Sequence, residues 1–214
     1  METVEFLKSL VSTSGLSAHE GPVLELIRDQ WAPLVDTLDT SRLGSLQGLK
    51  RGEGQRSRPS IMIATHMDAI GLMVTSISEG LLHFDEIGGI DPRILPGTPV
   101  VVHGRRDLPG VVVLPPMRTL PESARDAAIG LRHLLVDVGL APGRVRRLVR
   151  VGDLISFATP PIELAGESLS GHSLDNRASV AALTACLEGL QNKGHIWDVW
   201  AVATAQEEET LGGA

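Results

Sequence analysis

The sequence predicts an α/β fold that is interrupted by a small β-rich barrel domain and then resumes. Apolar spacing of the helical kind occupies the N-terminal part of the chain and returns at residues 173–190, whereas short β segments separated by Gly and Pro fill the middle. These sequence patterns predict an α/β domain built from residues 1–69 and 166–214, with residues 70–165 as the inserted domain. A chain of 214 residues, 43% of them apolar, can bury a sizeable core in one large domain or two small ones.

Two helices are predicted at the beginning of the chain. The first has apolar residues on one face at positions 4, 7, 10 and 11 and ends at Ser14-Gly15. The second follows Ser17-Ala18-His19-Glu20, which fits a capping box, and it has Pro22 in its first turn and an apolar stripe at positions 23, 26 and 27.

Two strands are predicted after these helices, at residues 34–38 and 60–65. The second, Ser60-Ile61-Met62-Ile63-Ala64-Thr65, is almost continuously apolar, so we expect it to be buried on both faces. The polar and Gly-rich residues 50–58 between the two strands are expected to form an exposed loop.

The inserted domain is predicted to contain the strands of a small barrel or sandwich. Turns are predicted at Glu79-Gly80, Gly88-Gly89 and Leu108-Pro109-Gly110. The predicted strands are residues 72–77, 81–84, 99–102, 110–114, 154–157 and 162–164.

A third helix is predicted at residues 173–190, and an apolar strand follows it at residues 199–204. The single cysteine, Cys186, falls within the apolar pattern of this helix at positions 180, 183, 187 and 190, so we expect a core thiol rather than a nucleophile. One cysteine cannot form a disulfide within the chain.

Charge and hydropathy argue against two classes of partner. Lys and Arg number 19 against 26 Asp and Glu, and the net charge of −7 argues against nucleic acid or an anionic membrane. No apolar stretch reaches the ~20 residues that span a bilayer, and the N-terminus lacks the basic and apolar regions of a signal peptide. We therefore expect a soluble, cytoplasmic protein.

Three polar constellations lie where a predicted strand or its connection ends, which is the usual location of a site in α/β folds. The first is His66-Met67-Asp68. In extended chain, residues i and i+2 point to the same side, so the Asp68 carboxylate can fix the tautomer of a metal-bound His66. The alternative is a capped turn or a hydrogen-bonded surface pair.

The second constellation is Gly171-His172-Ser173-Leu174-Asp175-Asn176-Arg177-Ala178, at the beginning of the third helix. An Asp before an apolar helix is commonly an N-cap. Asp175 can alternatively bridge two metal ions with its two carboxylate oxygens, at zinc or cobalt for example. His172 can join such a site or be an exposed loop residue.

The third constellation is Gln206-Glu207-Glu208-Glu209, after the last apolar strand. Metal-assisted hydrolysis uses one carboxylate to take a proton from metal-bound water and another to hold the metal, and the adjacent Glu207 and Glu208 can divide these roles. A run of acids is otherwise a solvated face, and we expect Glu209 to face solvent.

In their order and spacing these segments resemble the M42 family of metallo-aminopeptidases, the glutamyl and tetrahedral aminopeptidase group, some of whose members carry the older label endoglucanase. Residues 64–74 are similar to the family segment A-H-M-D-E-I/V-G-F-M-V, and residues 173–178 to A/S-L-D-N-R-A. Gln206-Glu207-Glu208 matches the Q-E-E that precedes V-G-L-R-G-A, with a degraded continuation at residues 209–214. Further matches are Val136-Asp137-Val138-Gly139 and Val151-Gly152-Asp153.

The resemblance implies an enzyme that removes N-terminal residues from short peptides through a dinuclear metal site. It implies His66 as a ligand to one metal ion, Asp175 as the ligand that bridges both ions, and Glu208 as a ligand to the other. Glu207 is implied as the general base and Asp68 as the carboxylate that orients His66. The ions implied are two divalent metals, zinc or cobalt, with manganese as a further candidate.

The resemblance also implies a zinc-exopeptidase-like core with a parallel sheet, and a homo-oligomer formed through residues 70–165. Family members continue beyond Gln-Glu-Glu and supply a further Asp and a further His to the metals. Each ion would keep two protein ligands here, where catalytic zinc normally has three. We therefore expect an incomplete, truncated core, compromised catalysis by this chain alone, and exposed apolar surface along residues 197–204.

Two other functions remain open at this level. A non-catalytic binding or assembly module, joined to full-length subunits through residues 70–165, would account for the missing ligands. A glycosidase would need two carboxyl groups ~5–10 Å apart across a sugar cleft, and His66 and Asp175 would have no role in it.

Overall fold

The computed structural model describes residues 2–54, 58–120, 122 and 130–213. Its helices, in chain order, are α1 (Thr3–Ser12), α2 (Gly21–Trp31), α3 (Pro142–Leu148), α4 (Leu174–Gly189) and α5 (Glu207–Thr210). Its strands are β1 (Thr37–Thr40), β2 (Leu46–Lys50), β3 (Ser60–His66), β4 (Gly71–Ser78), β5 (Leu81–Ile87), β6 (Pro99–His103), β7 (Asp107–Val113), β8 (Leu135–Asp137), β9 (Leu154–Phe157), β10 (Ile162–Leu164), β11 (Ser168–Ser170) and β12 (Asp198–Thr204).

The chain divides into two compact units, one formed by Met1–Ala69 with Pro160–Ala214 and the other by Ile70–Thr159. The first unit, here called the sheet unit, contains a four-stranded sheet of order β1-β2-β12-β3. In this sheet β12 runs parallel to β3 and antiparallel to β2. The core of the unit consists of buried apolar side chains from its helices and its sheet: Phe6, Leu10, Val23, Leu24, Ile27, Trp31, Leu46, Met67, Val180, Ala181, Leu183, Leu187, Ala201, Ala203 and Ala205.

The capping box predicted at residues 17–20 is wrong. Glu20 occupies the N-cap position of α2, and its side chain makes no capping hydrogen bond to the helix. The buried Glu20 carboxylate instead accepts the N–H groups of Ala18 and Gln206, each at 2.9 Å. A contact with a residue 186 positions away in the chain has therefore replaced the local one.

The predicted burial of β3 and the predicted exposure of residues 197–204 also need correction. Ile61, Met62 and Ile63 are 46%, 68% and 38% exposed, and β3 lies at the edge of the sheet. In contrast, β12 lies between β2 and β3, and its last four residues are buried. Trp197, immediately before β12, remains exposed as expected. Most of the exposed apolar surface is thus on β3 instead of β12.

The predicted core position of Cys186 is wrong, since this residue is exposed. Val180, Leu183 and Leu187 form the buried face of α4. Cys186 directly precedes Leu187, and one residue along an α-helix turns the side chain by about 100° away from that face. Within the described residues, no helix combines the length and apolarity needed to cross a membrane.

The second unit, here called the barrel unit, contains a closed barrel of order β4-β5-β8-β7-β6-β9. The predicted strand at residues 162–164 forms as β10, but it pairs with β11 in a hairpin of the sheet unit instead of joining the barrel. The barrel is completed between β5 and β7 by β8, whose three residues are too few to give a periodic signal. The barrel core consists of Leu72, Val74, Leu82, Phe84, Leu95, Val100, Val102, Leu108, Val112, Leu134, Val136, Val145, Val149 and Ile155.

Candidate active site

The three polar constellations of the sequence meet at one edge of the four-stranded sheet. The parallel strands β3 and β12 are in a register that pairs His66 with Thr204, so both strands end at the same edge. The Met67 N–H donates to the Thr204 carbonyl at 3.0 Å, one residue beyond β3. Helix α4, which begins with the second constellation, packs against β3. Residues far apart in sequence are thereby brought to one place.

His66 is at the centre of this group, and its side chain is 8% exposed. Its Nε2 lies 3.1 Å from Asp175 Oδ1 and 3.7 Å from Glu207 Oε2. Its Nδ1 lies 3.4 Å from Asp68 Oδ1, on the opposite side of the ring. Burial lowers the pKa of His66, but the surrounding carboxylates, Asp68 first among them, outweigh burial and raise the pKa to about 9.

Asp68 is fully buried and connects the first constellation to the third. Its Oδ1 accepts the Glu207 N–H and its Oδ2 accepts the Glu208 N–H, each at 3.1 Å. Burial raises the pKa of Asp68, but the contact with His66 and these two N–H donors more than compensate, so the pKa falls below its usual value. Asp68 therefore stays ionised, and it holds the backbone of Glu207 and Glu208 as well as contacting His66.

Asp175 lies in the first turn of α4, and its carboxylate is 91% exposed while it contacts His66. The N-cap position belongs to Ser173, whose backbone is left-handed with φ of 55°. The contact of Asp175 with His66 favours the alternative in which this carboxylate belongs to the site. Asp175 and Asn176 have non-helical backbone angles, so the regular part of α4 begins after them.

His172 is half-buried, and its Nδ1 lies 2.6 Å from Ser173 Oγ. Burial, reinforced by the charge of Arg177, lowers the pKa of His172. Among the described residues, His66, Glu207 and Glu208 form a group whose potential ligand atoms all lie within 4.8 Å of one another. His172 does not belong to this group. Glu209 is exposed, as predicted.

The donor set fits a divalent cation. Ligand atoms held about 2.0–2.2 Å from one zinc ion are roughly 3–4 Å apart. The distances of 3.1 and 3.7 Å from His66 Nε2 to Asp175 and Glu207 lie in that range. Burial and the charges of the neighbouring carboxylates raise the pKa of Glu208, and a cation would neutralise this concentration of negative charge. Imidazole nitrogen with carboxylate oxygen is a donor set that zinc and cobalt accept.

Two buried charged residues contact this group and were not predicted. Glu20 holds the third constellation by accepting the Gln206 N–H at 2.9 Å. Arg177 donates from Nε to the Met67 carbonyl at 3.0 Å, between His66 and Asp68. Burial lowers the pKa of Arg177 to about 10. An Arg at a position that faces the core of an amphipathic helix was the available signal for Arg177, whereas the apparent capping box concealed the role of Glu20.

A family model described as M42 glutamyl aminopeptidase matches residues 44–214. The chain belongs to this family. The match covers most of the sequence, including all three constellations, and it confirms the resemblance that the motifs indicated.

Individual M42 relatives and solved structures agree with this assignment. Lysyl aminopeptidase of Pyrococcus furiosus is 30% identical over 217 residues, covering 98% of this chain and 61% of the relative. The crystal structure of the TET aminopeptidase from a marine sediment Thaumarchaeota archaeon gives a TM-score of 0.91 at 28% identity, covering 100% of this chain and 61% of that one. The TET1 peptidase of Pyrococcus horikoshii, described as assembling into a tetrahedron or a large octahedral shell, gives 0.85 at 31% identity, covering 99% and 63%.

These matches confirm the predicted α/β fold with a small β-barrel. The chain spans 61% to 63% of the length of the three relatives.

Proposed function

We propose that the group around His66 binds two divalent metal ions and forms part of the active site of a metal-dependent aminopeptidase. The observation that carries this proposal is the gathering of the His66, Glu207 and Glu208 ligand atoms within 4.8 Å, with Asp175 3.1 Å from His66. The group lies where parallel strands β3 and β12 end, which is the edge of an α/β sheet where ligands usually bind.

The proposed division of ligands is the one that the family resemblance implies. His66 would bind one ion, Glu208 would bind the other and Asp175 would bridge them; zinc or cobalt suits these donors, and manganese is a third candidate. When bound, such ions supply Lewis acidity and lower the pKa of coordinated water. Asp68 Oδ1 lies 3.4 Å from Nδ1 on the far side of the His66 ring, where its charge would orient the ring so that Nε2 faces Asp175 and Glu207.

Glu207 is the proposed general base. Its side chain is 35% exposed and its Oε2 is 3.7 Å from His66 Nε2, so it is beside the centre and still open to water. Glu207 accepts a proton from the attacking water and returns it to the departing amine. The proposed substrates are short peptides with a free α-amino group.

His66, Asp175 and Glu208 give each ion two protein ligands, one of them shared, whereas catalytic zinc usually has three and a water. We therefore propose that residues 1–214 by themselves bind metal weakly and turn over substrate slowly. We also propose a homo-oligomer formed through residues 70–165. The assembly described for the Pyrococcus horikoshii relative supports this part of the proposal.

The two alternatives make different demands on the site. A glycosidase needs two carboxyl groups about 5–10 Å apart across a sugar cleft, and an imidazole between the carboxylates suits a metal centre better. A non-catalytic assembly module requires neither metal nor turnover, so it is separated from the enzyme by direct measurement.

The experiment compares metal content and activity of the purified chain. Bound Zn²⁺ or Co²⁺ is counted by mass spectrometry, hydrolysis of aminoacyl-nitroanilides is followed, and the oligomer is sized by light scattering. We expect measurable metal and slow hydrolysis, and Glu207→Gln should lower kcat at least 100-fold with metal content unchanged. Glu209→Gln, two residues further along the chain and exposed, is the matched control and should keep the wild-type rate.

Two results would contradict the proposal. Activity that survives Glu207→Gln would remove the assigned base. An oligomeric chain that binds no metal at millimolar concentration would favour the assembly module.

A further inference from the structure

Arg177 is a fully buried cation whose hydrogen bonds go to backbone carbonyl groups. Its Nε donates to Met67 O at 3.0 Å, and its Nη1 donates to Leu10 O at 2.5 Å and Thr13 O at 2.6 Å. Its Nη2 donates to Gly15 O at 3.3 Å. One guanidinium therefore contacts two separate segments of the chain, because its planar fork presents donors in several directions.

The acceptors of Arg177 determine what it holds. Leu10, Thr13 and Gly15 form the end of α1 and the residues after it. Met67 lies between His66 and Asp68, and Ala69 beyond them donates to Gly15 O at 3.0 Å. The segment that carries His66 and Asp68 is thus fastened to the end of α1 through this side chain.

The position of Arg177 in α4 links it to Asp175 as well. It lies two residues after Asp175, on the helix that presents the Asp175 carboxylate to His66. Arg177 therefore connects the element that carries Asp175 to the element that carries His66 and Asp68. Capping of α1 alone would require contacts to Leu10 and Thr13, but not the contact to Met67.

We propose that Arg177 is a positioning residue: it fixes the His66–Asp68 segment relative to Asp175, and through Asp68 it fixes the backbone of Glu207 and Glu208. The importance of Arg177 for catalysis rests on the metal centre proposed above. Its positioning of these segments does not require a metal. Arg177 is assigned no contact with substrate or with the ions.

The space around the guanidinium shows how closely the chain surrounds it. A Cβ added at Gly15 would lie 2.7 Å from Arg177 Nη2 and 2.5 Å from Val23 Cγ1, both too short for a real contact. Gly15→Ala therefore crowds both the guanidinium and the Val23 side chain, while every charge is retained. This substitution gives a second way to disturb the same contact.

The test uses amide hydrogen exchange followed by NMR in the metal-free chain. The reporters are the amides of Met67, Glu207 and Glu208, which donate to Thr204 O and to the two oxygens of Asp68. Amides in the middle of β12 serve as the reference for global unfolding. The variants are Arg177→Lys, which keeps the charge but loses the fork, and Arg177→Met. Leu187→Ala, a buried apolar change near the other end of α4, is the control for lost stability.

We expect both Arg177 variants to accelerate exchange at the three reporters at least 10-fold more than at β12, with Arg177→Lys the milder. Leu187→Ala should accelerate reporters and reference by the same factor. If reporters and reference move together in the Arg177 variants as well, Arg177 supports only the overall fold and the proposal is overturned. If those variants do not fold, Gly15→Ala provides the same comparison and the same criterion.

A second measurement separates this proposal from the proposed function. Competition with a chromophoric chelator gives the affinity for Co²⁺, and we expect Arg177→Lys to weaken it at least 10-fold while Leu187→Ala leaves it within 2-fold. A wild-type chain that binds no Co²⁺ would contradict the metal centre, and the exchange result would still decide the role of Arg177. Unchanged affinity in Arg177→Lys, with the wild type binding, would overturn the proposed positioning of the centre.

Discussion

Every strand of the barrel unit is hydrogen-bonded to a neighbour on each side, whereas in the sheet unit, within the described residues, β3 is paired with β12 on one side only. The barrel faces its apolar residues inward, and Leu72, Leu82 and Val136 are completely buried. Along β3, in contrast, Ile61, Met62 and Ile63 are all exposed. Closure removes the edges of a sheet, and an open sheet keeps them.

The candidate site lies at the buried end of the exposed strand β3. Although β3 is exposed from Ser60 to Ala64, its last two residues, Thr65 and His66, are buried. This end of the strand lies beside Asp68 and the backbone contacts of Arg177, and it carries the ligand atoms. The sheet unit therefore combines an exposed strand with a tightly packed site at the end of that strand.

The largest expected effect tests whether the two cores are energetically separate. Trp31 is fully buried in the sheet unit, and its Nε1 donates to Thr184 Oγ1 at 2.7 Å. Trp31→Ala removes both its packing and this hydrogen bond and should cost about 3–5 kcal/mol of unfolding free energy. Hydrogen exchange should show the loss of protection in the sheet unit.

The matched variant in the barrel is Leu82→Ala, which should cost about 2–5 kcal/mol and reduce protection there. An equal loss of protection in both units from either substitution would mean that the chain unfolds as one cooperative body, contrary to this expectation.

The next effect compares one substitution in the two units. A Cβ on Gly104 in the barrel unit would lie 2.3 Å from the Leu148 carbonyl oxygen, so Gly104→Ala should cost about 1–3 kcal/mol. At Gly48 in β2 the nearest atom is Val35 Cγ1 at 3.1 Å, a side chain that can adjust. Gly48→Ala should be nearly neutral, or stabilising by up to about 1 kcal/mol, because it restricts the unfolded chain. Urea unfolding of both variants checks the order, and a more damaging Gly48→Ala would reverse the comparison.

A smaller effect concerns the ion pair beside the exposed strand. Asp198 Oδ1 accepts from Arg58 Nε and from the Gly52 N–H, each at 2.8 Å, and these contacts, Arg58 first, lower the pKa of Asp198 below the usual 3.8. Because the folded pKa is depressed, the stabilisation is present above pH 3.8 and is lost as the pH falls through the lower folded value.

Asp198→Asn should therefore flatten part of the acid limb of a stability–pH curve measured by urea unfolding. The effect should shrink in 1 M salt, because the two side chains are only partly buried and salt still screens their charges. Asp39→Asn, an exposed carboxylate on β1, is the control. Curves that coincide for Asp198→Asn and the wild type would show that the pair contributes nothing.

The smallest effect on stability is expected on β3 itself. Met62 is 68% exposed, so Met62→Thr should change the unfolding free energy by less than about 0.5 kcal/mol. It should reduce self-association measured by light scattering, because an exposed apolar edge strand favours association. Leu82→Thr, the corresponding change at a buried barrel position, should be much more damaging. A loss above about 1 kcal/mol for Met62→Thr would mean that the edge is covered in solution.

Much of the fold and the residues of the site could be read from the sequence, and the failures have a common cause. Helical spacing located α1, α2 and α4, and apolar runs located β3 and β12. His66, Asp175, Glu207 and Glu208 come together as a group, although their roles as ligands and base stay predictions. The prediction for Cys186 was wrong because the apolar face assigned to the helix included a position beside that face. The sequence did not predict β8 because this strand has three residues.

Glu20 and Arg177 could not be interpreted from their surroundings in the chain. Each is a charged residue whose partners lie at least 110 residues away, apart from the contact of Glu20 with Ala18. A buried charge is tolerated only where hydrogen bonds compensate its loss of hydration, and those partners exist only after folding.

By itself the sequence determined the local elements, the family and the three polar constellations, because periodicity and motif spacing are properties of neighbouring residues. Only the tertiary structure decided that β12 lies between β2 and β3, that β3 is exposed, and that Asp68 holds Glu207 and Glu208. Strand order and buried hydrogen bonds depend on which distant segments pack together, and this choice is made by the free energy of the whole fold.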